Sequence, residues 1–259
     1  MRMMKKVLGT VTVLALSVSL LAGCGSTAVS PVSSTASTAA ESTTSSVVSE
    51  TTSAAADENV AAAAQLLNDL TGSYQELWPV ILADEYQQTW LDDCTALVGE
   101  ENAEAAFEKL SSMVTGDVYG EDAVEAYANG GGAYFCGFTN SLATLTFDGE
   151  TSTISGTDKD GNVLFSHTYH YIGMEPVHGL YEFESDDADS GEFTYFFLAP
   201  DTSAETYHIE FRYGSDAEAL SQYDAGEYAY WVASGISTDC DQTMIDNCIE
   251  LFCTENLAG

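Results

Sequence analysis

The residues able to do chemistry in this chain are few and polarised: four histidines, His167, His170, His178 and His208, stand among 41 aspartates and glutamates. Imidazole nitrogen with carboxylate oxygen can hold a divalent metal, and the same two groups can serve as acid and base in hydrolysis. Spacing decides which of them can cooperate. His208, Glu210 and Arg212 fall two apart in an alternating stretch, so a strand projects all three to one side, which pattern alone assigns to solvent. His167 and His170 are three apart, which on a strand puts them on opposite faces. The acidic run 184–192 is rich in oxygen but lacks the D-x-D-x-D-G spacing of a calcium loop, and reads as a solvated hairpin loop. No G-x-S-x-G, H-E-x-x-H or phosphate-binding glycine loop occurs, so the chain is read as a binding protein and not an enzyme. A carboxylate pair for glycoside hydrolysis could form in space, but nothing in the sequence selects one.

A second kind of chemistry sits at the N-terminus. Arg2, Lys5 and Lys6 precede an apolar run over 7–21, too short for a stable spanning helix and flanked as an export signal is. It ends in Leu21-Ala22-Gly23-Cys24, which resembles the bacterial lipobox, where the cysteine thiol takes diacylglycerol and becomes the new N-terminus. Residues 1–23 are therefore expected to be a lipoprotein signal peptide, with Cys24 lipidated and the protein anchored to the bacterial cell membrane outside the cytoplasm. Residues 24–58, almost wholly Ser, Thr, Ala and Val, cannot bury enough apolar surface to offset their ordering entropy and are expected to form a flexible tether.

Residues 59–259 are long enough for one domain with its own core. Loss of the leader removes Arg2, Lys5 and Lys6, so Lys109, Lys159 and Arg212 alone face the 41 acids. Three cations cannot neutralise a row of phosphates, which excludes nucleic acid as a partner and also argues against docking on anionic headgroups. Beyond Cys24 there are Cys94, Cys136, Cys240, Cys248 and Cys253, an odd number that cannot all pair within one chain. Cys248 shares an apolar helical stripe with Met244, Ile245 and Phe252, so burial as a thiol and bridging both stay open.

The elements that must position these residues change character at Gly130-Gly131-Gly132. Before it, helical periodicity covers 59–70, 86–97, 101–113 and 121–128. After it the period is 2, predicting strands over 142–147, 151–157, 163–171, 180–184, 193–198 and 207–213, with Asp148-Gly149 and Asp160-Gly161 as hairpin turns. Odd positions from Val163 through Phe165, Tyr169, Tyr171, Tyr181, Phe183, Phe193, Tyr195, Phe197, Tyr207, Ile209, Phe211 to Tyr213 form one expected aromatic face. Such a face needs a cover, and closure into a barrel would also remove exposed edges. A helix over 241–253, with Asp241 as N-cap, is expected to close the barrel's end. The fold class is α+β, mainly β: an antiparallel barrel with N-terminal helices and a C-terminal helix.

Several short stretches resemble the ZinT/YodA zinc-binding domain family. Gly72-Ser73-Tyr74-Gln75-Glu76-Leu77-Trp78-Pro79 is similar to its early glycine–aromatic–Gln motif, Tyr169-His170-Tyr171-Ile172-Gly173 to its Tyr-x-Tyr-x-Gly strand, and Tyr181-Glu182-Phe183-Glu184 to the strand that follows. Ala199-Pro200 through Thr206-Tyr207-His208-Ile209 to Gly214-Ser215-Asp216 resembles its ligand-bearing strand. The resemblance implies a lipocalin-like (calycin) barrel and zinc as the bound ion. It also implies three histidine ligands, of which only His208 is retained. Thr206 replaces its partner, and the third position falls at Phe196 or Phe197. The resemblance places His208 at the barrel mouth, with Glu210 the nearest candidate to complete a metal site. Three readings stay open: a metal-handling lipoprotein, a calycin-type binder of a small molecule or peptide that has lost zinc, and an enzyme.

Overall fold

A computed structural model describes residues 47–199 and 208–258, with side chains from residue 58 onward. The leader, Cys24 and most of the tether lie outside the described residues, as do Pro200, Thr206 and Tyr207. Eight strands run in order around a closed antiparallel barrel: β1 (Gly72–Glu76), β2 (Thr144–Asp148), β3 (Thr153–Thr157), β4 (Val163–Met174), β5 (Tyr181–Ser185), β6 (Tyr195–Leu198), β7 (His208–Gly214) and β8 (Ala233–Ser237). β8 pairs back onto β1, with Tyr74 opposite Ser237 and Glu76 opposite Gly235, so no strand edge is left open. This is the up-and-down, lipocalin-like architecture that the period-2 half of the sequence implies.

Rings fill the barrel. Phe165, Tyr169, Phe183, Phe196, Phe211 and Tyr213 are all buried in one cluster. Phe165 stacks on Phe193 at 4.0 Å, and Phe196 meets Tyr169 edge-on at 5.4 Å. Each such ring contributes on the order of 1.5–3 kcal/mol on leaving water. The expected odd-numbered face holds in β5 and β7 and, from Phe165 onward, in β4, but Val163 is exposed and β6 departs from it. Phe183 pairs with Phe196, and Phe196 with Tyr213, so β6 turns its even positions inward while Phe197 lies outside, opposite Glu182 and Arg212. The 3-10 turn over Gly191–Phe193 between β5 and β6 resets the parity, which the continuous count across the loop ignored.

Among the described residues seven α-helices accompany the barrel: α1 (Val47–Asp69), α2 (Leu77–Ile81), α3 (Gln87–Val98), α4 (Ala103–Val114), α5 (Glu121–Ala128), α6 (Ala217–Leu220) and α7 (Gln242–Leu257). α1 begins at Val47, within the stretch expected to be tether. Its Ala63, Leu66, Leu67 and Leu70 join the barrel's interior cluster, and it packs on β2 and β4. The expectation that the C-terminal helix closes the barrel end is therefore corrected: α1 supplies that apolar face. α7, capped by Asp241 accepting from the Met244 amide at 3.0 Å, packs instead on α2, α3 and α4. Its Ile245, Cys248, Ile249 and Cys253 share a second core with Leu77, Trp78, Ile81, Trp90 and Ile236 of β8. Trp90 locks this layer by donating its indole N–H to the Ile81 carbonyl at 2.7 Å. The helical layer thus covers the outer wall of the barrel at β8.

Candidate metal-binding cleft

His208 and Glu210 project from β7 to the side opposite Ile209 and Phe211, as alternation requires, and that side is not solvent. Their cross-strand neighbours on β8 are Ile236 and Ser234. Above them lie α2 and α7, so the two side chains are half-buried in a cleft lined also by Leu77, Trp78, Ile81, Cys248, Leu251, Phe252 and Glu255. His208 therefore lies on the barrel's outer wall, not in its mouth. The strand's inward positions are taken by Ile209, Phe211 and Tyr213, which leaves the polar phase outside.

The cleft gathers the donor types that zinc accepts: an imidazole, two carboxylates and a thiol. Convergence is another matter. Among the described residues no group of three His, Cys, Asp or Glu side chains is arranged to hold a metal ion. His208, Glu210, Cys248 and Glu255 each already make contacts of their own, against which an ion must compete. Burial pushes the Cys248 thiol up to about 12, with Cys240 adding to it, so at neutral pH it is an uncharged wall and not a thiolate. Burial also pushes Cys136 up to about 12, and the nearby Glu210 carboxylate adds to the shift. The Trp78 indole N–H is buried with no acceptor in hydrogen-bond geometry, although the Cys136 sulfur is near enough to feel it. The cleft's volume is about 40 Å³. That is room for an ion or a few waters, roughly a tenth of an ordinary small-molecule pocket.

Sequence reasoning missed the contribution of α7. Cys248, Leu251, Phe252 and Glu255 are spaced i, i+3, i+4, i+7, so one helix face carries all four across the cleft; the stripe of Met244, Ile245, Cys248 and Phe252 points only to burial or bridging of the thiol. The positions where the resemblance implies a further histidine offer no nitrogen: Phe196 is fully buried among rings inside the barrel, and Phe197 is fully buried outside it.

The remaining histidines are dispersed. His167 Nδ1 lies 2.8 Å from Asp187 Oδ2 and His170 Nδ1 lies 2.7 Å from Asp186 Oδ1, the two rings on opposite faces of β4. The acidic loop they meet is tied internally, Ser190 donating to the Ser185 hydroxyl at 2.7 Å. His178 packs on the Tyr223 ring at 3.8 Å beside buried Glu175. Arg212 is the largest departure from the expected solvent side. It is fully buried, donating to the Leu220, Gln222 and Tyr228 carbonyls with its guanidinium 4.2 Å from the Tyr223 ring centre. It fastens the 216–230 segment to the barrel wall. A second hollow, between Tyr119, Gly120, Glu121, Asp122 and Glu227, is wide and open, and its charged groups are all carboxylates.

The fold and cleft define a lipocalin-like barrel with a helical flank and a small polar cleft between them. No family model and no curated protein matches the sequence. Among solved structures the chain is similar to the zinc-bound ZinT-like domain of AdcA from Streptococcus pneumoniae, at 16% identity and a TM-score of 0.45 over 71% of this chain and 89% of that one. It is also similar to zinc-bound AdcA from the same organism, at 14% identity and a TM-score of 0.42 over 72% of this chain and 35% of that one. Among the described residues no helix is long and apolar enough to cross a membrane.

Proposed function

We propose that this chain is an extracytoplasmic lipoprotein, anchored through lipid on Cys24, whose barrel takes part in handling zinc through a weak site in the β7–α7 cleft. His208 supplies the imidazole and Glu210 the carboxylate, with water completing the sphere. The observation that carries this reading is the placement of His208 and Glu210 side by side in the cleft that also holds Glu255 and Cys248. In this reading its job is binding and release.

The size of the cleft and the filled barrel favour an ion over the alternative of a small organic cargo. A lipocalin-type cargo needs an interior cavity, and here the axis carries Phe165, Tyr169, Phe183, Phe196 and Phe211. Carboxylate and water are poorer partners than imidazole for a borderline-soft ion, so a site of this composition is weaker than a three-histidine one. Competition with a zinc-chelating dye tests the reading: Glu210→Gln should weaken zinc at least several-fold while Glu218→Gln, on α6, leaves it unchanged. Equal affinities in both variants would remove the cleft from the account.

A further inference from the structure

Beside the cleft-lining residues of α7, two sulfurs meet across the α3–α7 interface. Cys94 on α3 and Cys253 on α7 are both fully buried, and their Sγ atoms are 3.9 Å apart although 159 residues separate them in the chain. We propose that in the exported protein Cys94 and Cys253 are joined as a disulfide that clamps α7 to α3 and so fixes the roof over His208 and Glu210.

Three observations converge on this. The sulfurs are in contact, and bringing them to a bond length of about 2.05 Å needs a closing movement of roughly 2 Å, within reach of side-chain rotation. The same interface carries a repulsion: Asp93, adjacent to Cys94, has its carboxyl pushed up by burial and by the facing charges of Glu250 and Asp246 on α7. A covalent link holds the helices together against that repulsion. Both cysteines, finally, lie in the core of the helical layer, where a bridge adds no surface and displaces no polar group. The proposal rests on the export reading only for the presence of an oxidant, since disulfides persist outside the cytoplasm.

The reaction is thiol–disulfide exchange with a disulfide-bearing oxidant of the cell envelope. One cysteine thiolate attacks the oxidant's disulfide, forming a mixed disulfide and releasing one oxidant thiolate. The second cysteine thiolate attacks the mixed disulfide, the Cys94–Cys253 bond forms, and the oxidant leaves as a dithiol. Two electrons pass to the oxidant, and the two cysteine protons end on its sulfurs or in solvent. Burial raises both thiol pKa values in the folded protein, so exchange belongs to the folding stage, before α3 and α7 close over the sulfurs.

The full chain, exported under its own leader, is denatured in iodoacetamide without reductant, digested and mapped by mass spectrometry. A linked peptide containing Cys94 and Cys253, lost on reduction with a gain of about 2 Da, is the expected result. Both cysteines recovered as alkylated thiols overturns the proposal. Refolding the reduced full chain in a glutathione redox buffer then locates the fault: formation there, but not in the cell, condemns the export reading, and formation in neither condemns the geometry. Reductant should lower the wild-type Tm by roughly 5–15 °C and leave Cys253→Ala unaffected. Mapping of the wild type does not depend on that variant folding.

Discussion

Replacing Arg212 by methionine removes a fully buried cation of the barrel wall and leaves a hydrophobic stem. The guanidinium donates to three carbonyls of the 216–230 segment, those of Leu220, Gln222 and Tyr228, and leaves Nε without a partner. Hydrogen bonds to a charged group contribute about 1.5–3 kcal/mol each, but desolvating the guanidinium takes back several, and burial indeed lowers its pKa. Methionine escapes that penalty yet strands three carbonyls and deprives buried Glu175 of a favourable positive charge. The net loss from removing one member of such a network is about 3–5 kcal/mol. For a domain of this size that is a fall in Tm of roughly 8–15 °C by calorimetry. Hydrogen exchange should rise first in 216–230, and Arg212→Lys should recover less than half, because an ammonium cannot reach three divergent carbonyls. Adding Glu175→Gln to Arg212→Met should restore part of the loss by removing the uncompensated carboxylate. A Tm within about 3 °C of wild type for Arg212→Met would refute the view that this side chain fastens the segment.

Asp93→Asn should raise the Tm at pH 7. The folded carboxyl is pushed above its ordinary value, first by burial and then by Glu250 and Asp246, so the folded state binds its proton more readily and loses stability as pH rises through that window. After discounting for solvent screening the gain is about 0.5 kcal/mol, and it should vanish near pH 3, where both states are protonated. His178 behaves oppositely: burial lowers its folded pKa, only partly offset by Glu175, so its contribution is complete above about pH 6.5 and is lost as pH falls. His178→Gln should accordingly flatten the decline of Tm between about pH 6.5 and 5.5. Cys24→Ala should abolish acylation and move the protein out of the membrane fraction; a wild-type protein found unacylated in the medium would contradict the anchor.

The barrel was legible because the aromatic residues of β4, β5 and β7 alternate strictly, and Asp241 announced α7 as a cap should. β1 and β8 were not legible as strands. β8, Ala-Ser-Gly-Ile-Ser, is buried on both faces from Ala233 to Ile236, so it has no polar phase to alternate with. Its Gly235 is there for close approach, since a Cβ would sit 3.1 Å from Ile209 and 3.3 Å from Phe138. The same covering hid the nature of the site. Alternation correctly put His208, Glu210 and Arg212 on one side, but nothing local says that α7, far downstream in the chain, lies over the first two, or that the 216–230 segment folds back over the third. What covers an exposed-looking strand face is a tertiary fact.

The central claim is that His208 and Glu210 make the outer cleft a place for zinc, and isothermal calorimetry on the full chain in detergent tests it most directly. Zinc is titrated at about 0.15 M salt, where loose screening by the acidic surface is damped, into wild type and His208→Ala. Wild type should bind one equivalent, the heat fading as pH is lowered from about 7.5 to 5.5 because a protonated imidazole cannot ligate. His208→Ala should lose that equivalent at every pH. Equal, weak and salt-sensitive heats from both proteins would contradict the account and take zinc out of it.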